Sequence, residues 1–234
     1  MNSQTLIEQL SDEERRHVAS WAIKTSRTEE WTGAQVLRLL SLPDHEQRFG
    51  RDNLLRQASE ELTHARMYAA FAQQFQPAQW LVEYAQRSQN FSGASFTAIL
   101  RSLDATALLT PISRISFLTG IFFLDLAGLM TVNVYEESPF EELQEIALQI
   151  RADEGRHVHD GREWLMQTAA EAPNGKRLLQ EAVQALLPQI DTFFGGDDSP
   201  VQRTLRKAGI RSVANGQLKD KFRQKITALL HLND

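Results

Sequence analysis

Apolar positions along the chain recur every three or four residues in long runs, and no segment alternates with the two-residue period of a strand. This pattern predicts an all-α protein. A long first helix opens at Ser11-Asp12-Glu13-Glu14, where the serine and the glutamate three residues on form a capping box, and it runs to about Leu40 before Ser41-Leu42-Pro43. A polar loop through Gly50 leads to a second helix, about Asp52 to Phe75, stopped by Pro77. Thr110-Pro111 sets a capping threonine before a proline at the first helical position and starts a third helix to about Glu137. Ser138-Pro139 repeats that signal for a fourth, to about Ala170. The bundle helices are thus expected at about 12–40, 52–75, 111–137 and 139–170, in one domain spanning 1–234 with further helices after 175. Shorter helical patterns cover Ser3–Leu10, Ala78–Arg87, Phe96–Leu103 after a turn-rich 90–95, Lys176–Phe194, Pro200–Ala208 and Gln217–Leu230.

The third helix departs from the amphipathic pattern. From Ile115 to Val134 it is nearly all apolar and long enough to span a bilayer, yet Asp125 sits near its middle and the flanking helices are amphipathic. A helix apolar on every side, among amphipathic neighbours, reads as the buried centre of a bundle. Composition agrees, with 42% hydrophobic and 24% charged residues. The formal net charge of -5 offers no electrostatic reason for a nucleic acid or an anionic membrane as partner. With Cys 0, disulfides, thiolate catalysis and cysteine-ligated metals are excluded. Met1 to Glu14 lacks a basic-then-apolar signal peptide, and a cytoplasmic location is expected.

Two copies of one short pattern carry the candidate chemistry: Glu60-Glu61-Leu62-Thr63-His64 and Asp153-Glu154-Gly155-Arg156-His157. Each is a Glu-x-x-His led by a second acid. Residues three apart share a helix face one turn apart, so Glu61 with His64, and Glu154 with His157, can each bind a metal ion. Two such helices plus one carboxylate from each of two others make a cage for two ions. The third helix offers Asp125, the only charged residue between Arg114 and Glu136; Glu136 and Glu137 lie at the helix end, where exposure is expected. The first helix offers Glu30 or Glu29. Small residues Gly33 and Ala34 after Glu30 leave room for metal, whereas periodicity puts Glu29 opposite the polar face of Lys24, Arg27, Thr28, Gln35 and Arg38. The leading acids suit a supporting role, since a metal-bound histidine gives its other N–H to a carboxylate or carbonyl. Symmetry assigns Asp153 to His64 and Glu60 to His157 across the bundle. His17, His45, His159 and His231 have no comparable setting and read as surface residues.

These residues resemble the ferritin-like di-iron carboxylate superfamily. The resemblance is clearest from Asp125 to Leu165, where Asp153-Glu154-x-x-His157 continues into Gly161-x-Glu163-Trp164-Leu165 and Asn133-x-Tyr135 precedes it, as in the aldehyde-deformylating oxygenases of cyanobacteria. Two departures bear on activity: that family usually has glutamate where this chain has Asp125, and the loop between the first two helices is longer here. The resemblance implies a ferritin-like four-helix bundle core with additional short helices. It also implies two Fe ions, or Mn or mixed Fe/Mn, and a dioxygen-dependent oxidase or oxygenase. The apolar third helix suggests a small, largely apolar substrate. Turnover implies an electron-donor protein, and a homodimer is compatible. Ferritin-like iron handling and a metal-free partner subunit of a multicomponent oxygenase are the alternatives.

Overall fold

The computed structural model describes residues 2–87 and 107–230. Its α-helices are α1 Ser3–Glu8, α2 Asp12–Arg38, α3 His45–Arg48, α4 Arg51–Gln73, α5 Ala78–Arg87, α6 Pro111–Tyr135, α7 Glu141–Glu171, α8 Gly175–Phe194, α9 Pro200–Lys207 and α10 Asn215–Leu229. Local chemistry sets the long starts. Ser11 accepts from the Glu14 amide while the Glu14 carboxylate accepts from the Ser11 amide, which closes the capping box of α2. Thr110 accepts from the Ser113 amide with Pro111 in the first turn of α6.

The second Ser-Pro signal acts differently. Ser138 is buried and its hydroxyl accepts from the Phe140 amide, so Pro139 stays in the turn and α7 begins at Glu141. The polar loop before α4 holds one helical turn, α3, that periodicity is too short to reveal. The helix expected at Phe96–Leu103 and the turn at 90–95 lie outside the described residues, as does His231.

α2 packs along α4 and α6 along α7, and the two pairs meet chiefly through α4 and α7. Helices α8 and α10 cover the outer side of α6, and α9 lies against α2. This arrangement accounts for the apolar α6. One side faces the bundle, while Phe123 on another side meets Phe222 of α10 edge-on at 5.3 Å, and Phe222 in turn meets Phe194 of α8 at 5.9 Å. α6 is long and apolar enough to cross a membrane, but 78% of its apolar window is buried inside the protein. Burying one such phenylalanine is worth about 1.5–3 kcal/mol.

Close helix approach is set by glycine at two positions. A Cβ on Gly33 of α2 would stand 3.1 Å from the Ala58 carbonyl oxygen and 3.1 Å from Glu61 Cβ of α4. On Gly128 of α6 it would stand 2.9 Å from Glu154 Oε2 of α7. Each glycine therefore lies against one of the two Glu-x-x-His glutamates. An aromatic cluster packs around Trp21 of α2, which meets Tyr68, Phe71 and Tyr135 edge-on at centroid distances of 6.2, 6.3 and 5.2 Å.

Candidate metal centre

Six side chains from four helices converge between the two helix pairs. Glu29, Glu61, His64 and Glu154 each offer a ligand atom, all within 4.8 Å of one another, and Glu61, Asp125 and His157 form a second such group. Glu61 belongs to both. All but Glu29, which is half-buried, are buried.

The first helix supplies Glu29 and not Glu30. Glu30 points outward, its side chain 55% exposed and paired with Arg27 at 3.3 Å. The small Gly33 and Ala34 do not serve a ligand at position 30. Gly33 instead lets α2 close on α4, and Ala34 is exposed. The helical period, which set Glu29 opposite the polar face, gives the observed orientation. The remaining candidates, Glu61, His64, Asp125, Glu154 and His157, are all brought together, whereas Glu136 pairs with Arg151 at 2.8 Å away from the group. Among the other histidines, His159 is exposed, His45 is half-buried, and His17 Nδ1 lies 2.9 Å from Thr204 Oγ1.

The leading acids of the two motifs cross the bundle. His64 Nε2 lies 3.1 Å from Asp153 Oδ2, and His157 Nε2 lies 2.8 Å from Glu60 Oε2. With each Nε2–H given to a carboxylate, each neutral ring turns its Nδ1 lone pair inward. There His157 Nδ1 stands 3.1 Å from Glu61 Oε1 and His64 Nδ1 stands 3.6 Å from Glu154 Oε1. Among the described residues, both inward nitrogens lack a hydrogen-bond partner, as do both Glu61 oxygens, Glu154 Oε2 and Asp125 Oδ1. With the carboxylates ionised, acceptors face acceptors at this range and repel, and each orphaned group costs on the order of 1–3 kcal/mol. Cations placed between them would satisfy every one. The donor set fits the demand: four carboxylates balance two divalent ions, and oxygen with imidazole donors suits iron or manganese.

The electrostatics agree. Burial pushes Glu61 well above the carboxylate range, reinforced by the Glu154 charge. Burial likewise raises Glu154, with the Glu29 charge adding to it, and raises Glu29, with Glu61 adding. Asp125 is pushed up to about 6 by burial, opposed by the neighbouring His157 and by a hydrogen bond from Gln57 Nε2 at 3.3 Å. The outer acids go the other way. Burial works against their charge, but hydrogen bonds from the histidines and from Arg156 outweigh it and hold Glu60 and Asp153 below their ordinary values. The cluster therefore divides into outer acids that stay charged and inner acids that resist charge until cations compensate it.

Three residues of the site escape a search for ligand types. Gly128 leaves the space that the Glu154 carboxylate occupies, and Gly161 faces Asp125 Oδ2 at 3.6 Å from where a Cβ would stand. Gln57, one turn before Glu61, is buried against Asp125. The helical spacing of Gln57 and Glu61 is the only sequence signal for it.

The model of a family described as phenylacetic acid catabolic protein matches residues 116–232, half of the chain. No match is found among the curated proteins. Among solved structures, the chain is similar to an R2-like ligand-binding oxidase with an aerobically reconstituted Mn/Fe cofactor. That likeness has a TM-score of 0.67 at 14% identity and covers 99% of this chain and 84% of that one. A point mutant of such an oxidase, also with a reconstituted Mn/Fe cofactor, gives 0.66 at 14% identity, covering 99% and 85%. Likeness at this identity establishes the fold, an all-α ferritin-like bundle. The comparisons support the superfamily, while the likeness to aldehyde-deformylating oxygenases rests on the sequence motifs alone.

Proposed function

The chain belongs to the phenylacetic acid catabolic protein family, and from that premise we propose that it is a dioxygen-dependent oxidoreductase with a dinuclear metal centre. Glu29, Glu61, His64 and Glu154 would hold one ion and Glu61, Asp125 and His157 the other, with Glu61 common to both. Iron, manganese or a mixed pair suits these donors. The reading is carried by one observation: the two Nδ1 lone pairs and four buried carboxylate oxygens of Glu61, Asp125 and Glu154 converge with no hydrogen-bond partner among the described residues. When bound, the ion pair would supply the electrons and Lewis-acid positions with which dioxygen is reduced.

The protein's own part is to orient and to exclude water. Asp153 and Glu60 fix the histidine rings and their tautomers, and Gln57 fixes Asp125. Buried Phe122, Phe123 and Leu124 precede Asp125, and buried Leu126 and Ala127 follow it, which keeps α6 dry on either side of it. A small, largely apolar substrate suits this lining, and the family description names phenylacetic acid, an apolar ring bearing one carboxyl group. A separate electron-donor protein would complete each turnover. The full donor set favours this reading over a metal-free partner subunit. The test is dioxygen uptake by the ferrous-loaded protein. Rapid consumption, absent from the metal-free protein and from Glu154→Ala, is expected; ferrous-loaded protein inert to dioxygen would overturn the proposal.

A further inference from the structure

Arg156 lies outside the ligand set, between Asp153 and His157 on α7, with its side chain 46% exposed. Its Nη2 donates to Glu60 Oε1 at 2.8 Å and, in a shorter contact, to Asp153 Oδ1. Those two carboxylates accept from the outer nitrogens of His157 and His64. The result is one hydrogen-bonded chain, His64–Asp153–Arg156–Glu60–His157, which runs between α4 and α7 on the outer side of the cluster. His64 belongs to one donor group and His157 to the other. The chain therefore joins the two groups without passing through a ligating atom.

Electrostatics give the guanidinium a reason to be there. Glu60 and Asp153 carry like charge close enough to disfavour each other's ionisation, and a cation between them offsets that repulsion. The support is unequal. Glu60 also accepts from Arg56 Nη1 at 3.1 Å, and Arg56 is anchored to Asp160 at 3.1 Å. Asp153, among the described residues, is held by His64 and Arg156.

We infer that Arg156 is a positioning residue that couples the two metal positions by holding both histidine rings through their carboxylates. Ordering one donor group thereby orders the other, so the two ions are taken up together. Because Asp153 has no second arginine among the described residues, losing Arg156 releases the His64 side more than the His157 side. This inference rests on the dinuclear reading above.

The test is an anaerobic calorimetric titration of the full chain with Mn(II), with unbound Mn(II) followed by its paramagnetic resonance signal. Wild type is expected to take two ions per chain in one merged step. Arg156→Gln should split the titration into two steps, one weakened about 10–100-fold, and Arg156→Lys, which keeps the charge, should restore most of the loss. Asp153→Asn should cost much less in the Arg156→Gln background than in wild type, because both changes act on one chain of contacts. If Arg156→Gln does not fold, the same cycle is run with Arg156→Met, which likewise removes the charge and both hydrogen bonds. Titration of Arg156→Gln identical to wild type, or full additivity with Asp153→Asn, overturns the coupling. Wild-type protein that binds no Mn(II) overturns the dinuclear reading itself.

Discussion

The two helix pairs contribute to the site in the same way but are built differently. α2 and α4 bring Glu29 with Glu61 and His64; α6 and α7 bring Asp125 with Glu154 and His157. α2 is amphipathic, and its ligand candidate Glu29 stays half-buried. α6 is covered on its outer side by α8 and α10, and Asp125 is buried with one oxygen held by Gln57. The glycines differ in the same sense. Gly33 governs how near two backbones come, and Gly128 makes room for one carboxylate. The first half leaves its lone acid half-buried at the edge, whereas the second buries its single acid fully inside an apolar helix.

Removing the residue that the two halves share should have the largest effect. Glu61→Gln should abolish binding of both ions, and with it any dioxygen reactivity, measured as metal per chain and oxygen uptake. Next come the two lone acids. Asp125→Asn should lose the ion on the His157 side and Glu29→Gln the ion on the His64 side, each by more than the roughly 10–100-fold that loss of an outer partner costs. Asp125→Asn should be the more severe, because its site has no half-exposed neighbour to relax into. The two glycines should act on different properties. Gly33→Ala should destabilise the fold by about 1–3 kcal/mol, seen in the denaturation midpoint. Gly128→Ala should leave that midpoint closer to wild type and weaken metal binding instead, since the added methyl meets the end of the Glu154 side chain.

A smaller effect is expected from pH. Burial holds Asp125 near 6 instead of 3.8, so across that interval the folded metal-free chain keeps a proton that the unfolded chain has lost. Stability of the metal-free protein therefore falls as pH rises through the interval. Glu61 and Glu154, raised well above their ordinary values, carry the fall to higher pH. Metal affinity should climb over the same range, because the protons must leave for the ions to bind. Melting curves with and without Mn(II), from about pH 4 to about pH 7, should diverge with rising pH. The smallest effect is Glu30→Gln, which should leave metal content unchanged within error.

The same contrast explains what the sequence makes legible. Asp125 stands alone in an apolar helix, so its burial and need for a partner can be read from the pattern. Glu29 and Glu30 are adjacent acids on an amphipathic helix, and two local arguments point to different residues. The close approach of α2 to α4 at Gly33 resolves them, and that is a tertiary fact. The crossed pairs of Asp153 with His64 and Glu60 with His157 follow from the near-symmetry of the two motifs. Gly128, Gly161 and Gln57 carry no chemical label, because their part in the site is space or a single amide. The late start of α7 was hidden for a similar reason: Ser138 turns its hydroxyl to Phe140, and Pro139 remains outside the helix.

The proposed centre holds two ions divided between the helix pairs. Its most direct test is the metal content per chain of anaerobically loaded protein, for wild type and for Glu61→Gln in parallel. Two ions in wild type and essentially none in the variant are predicted. One ion or none in wild type, or two ions surviving the loss of Glu61, would contradict it.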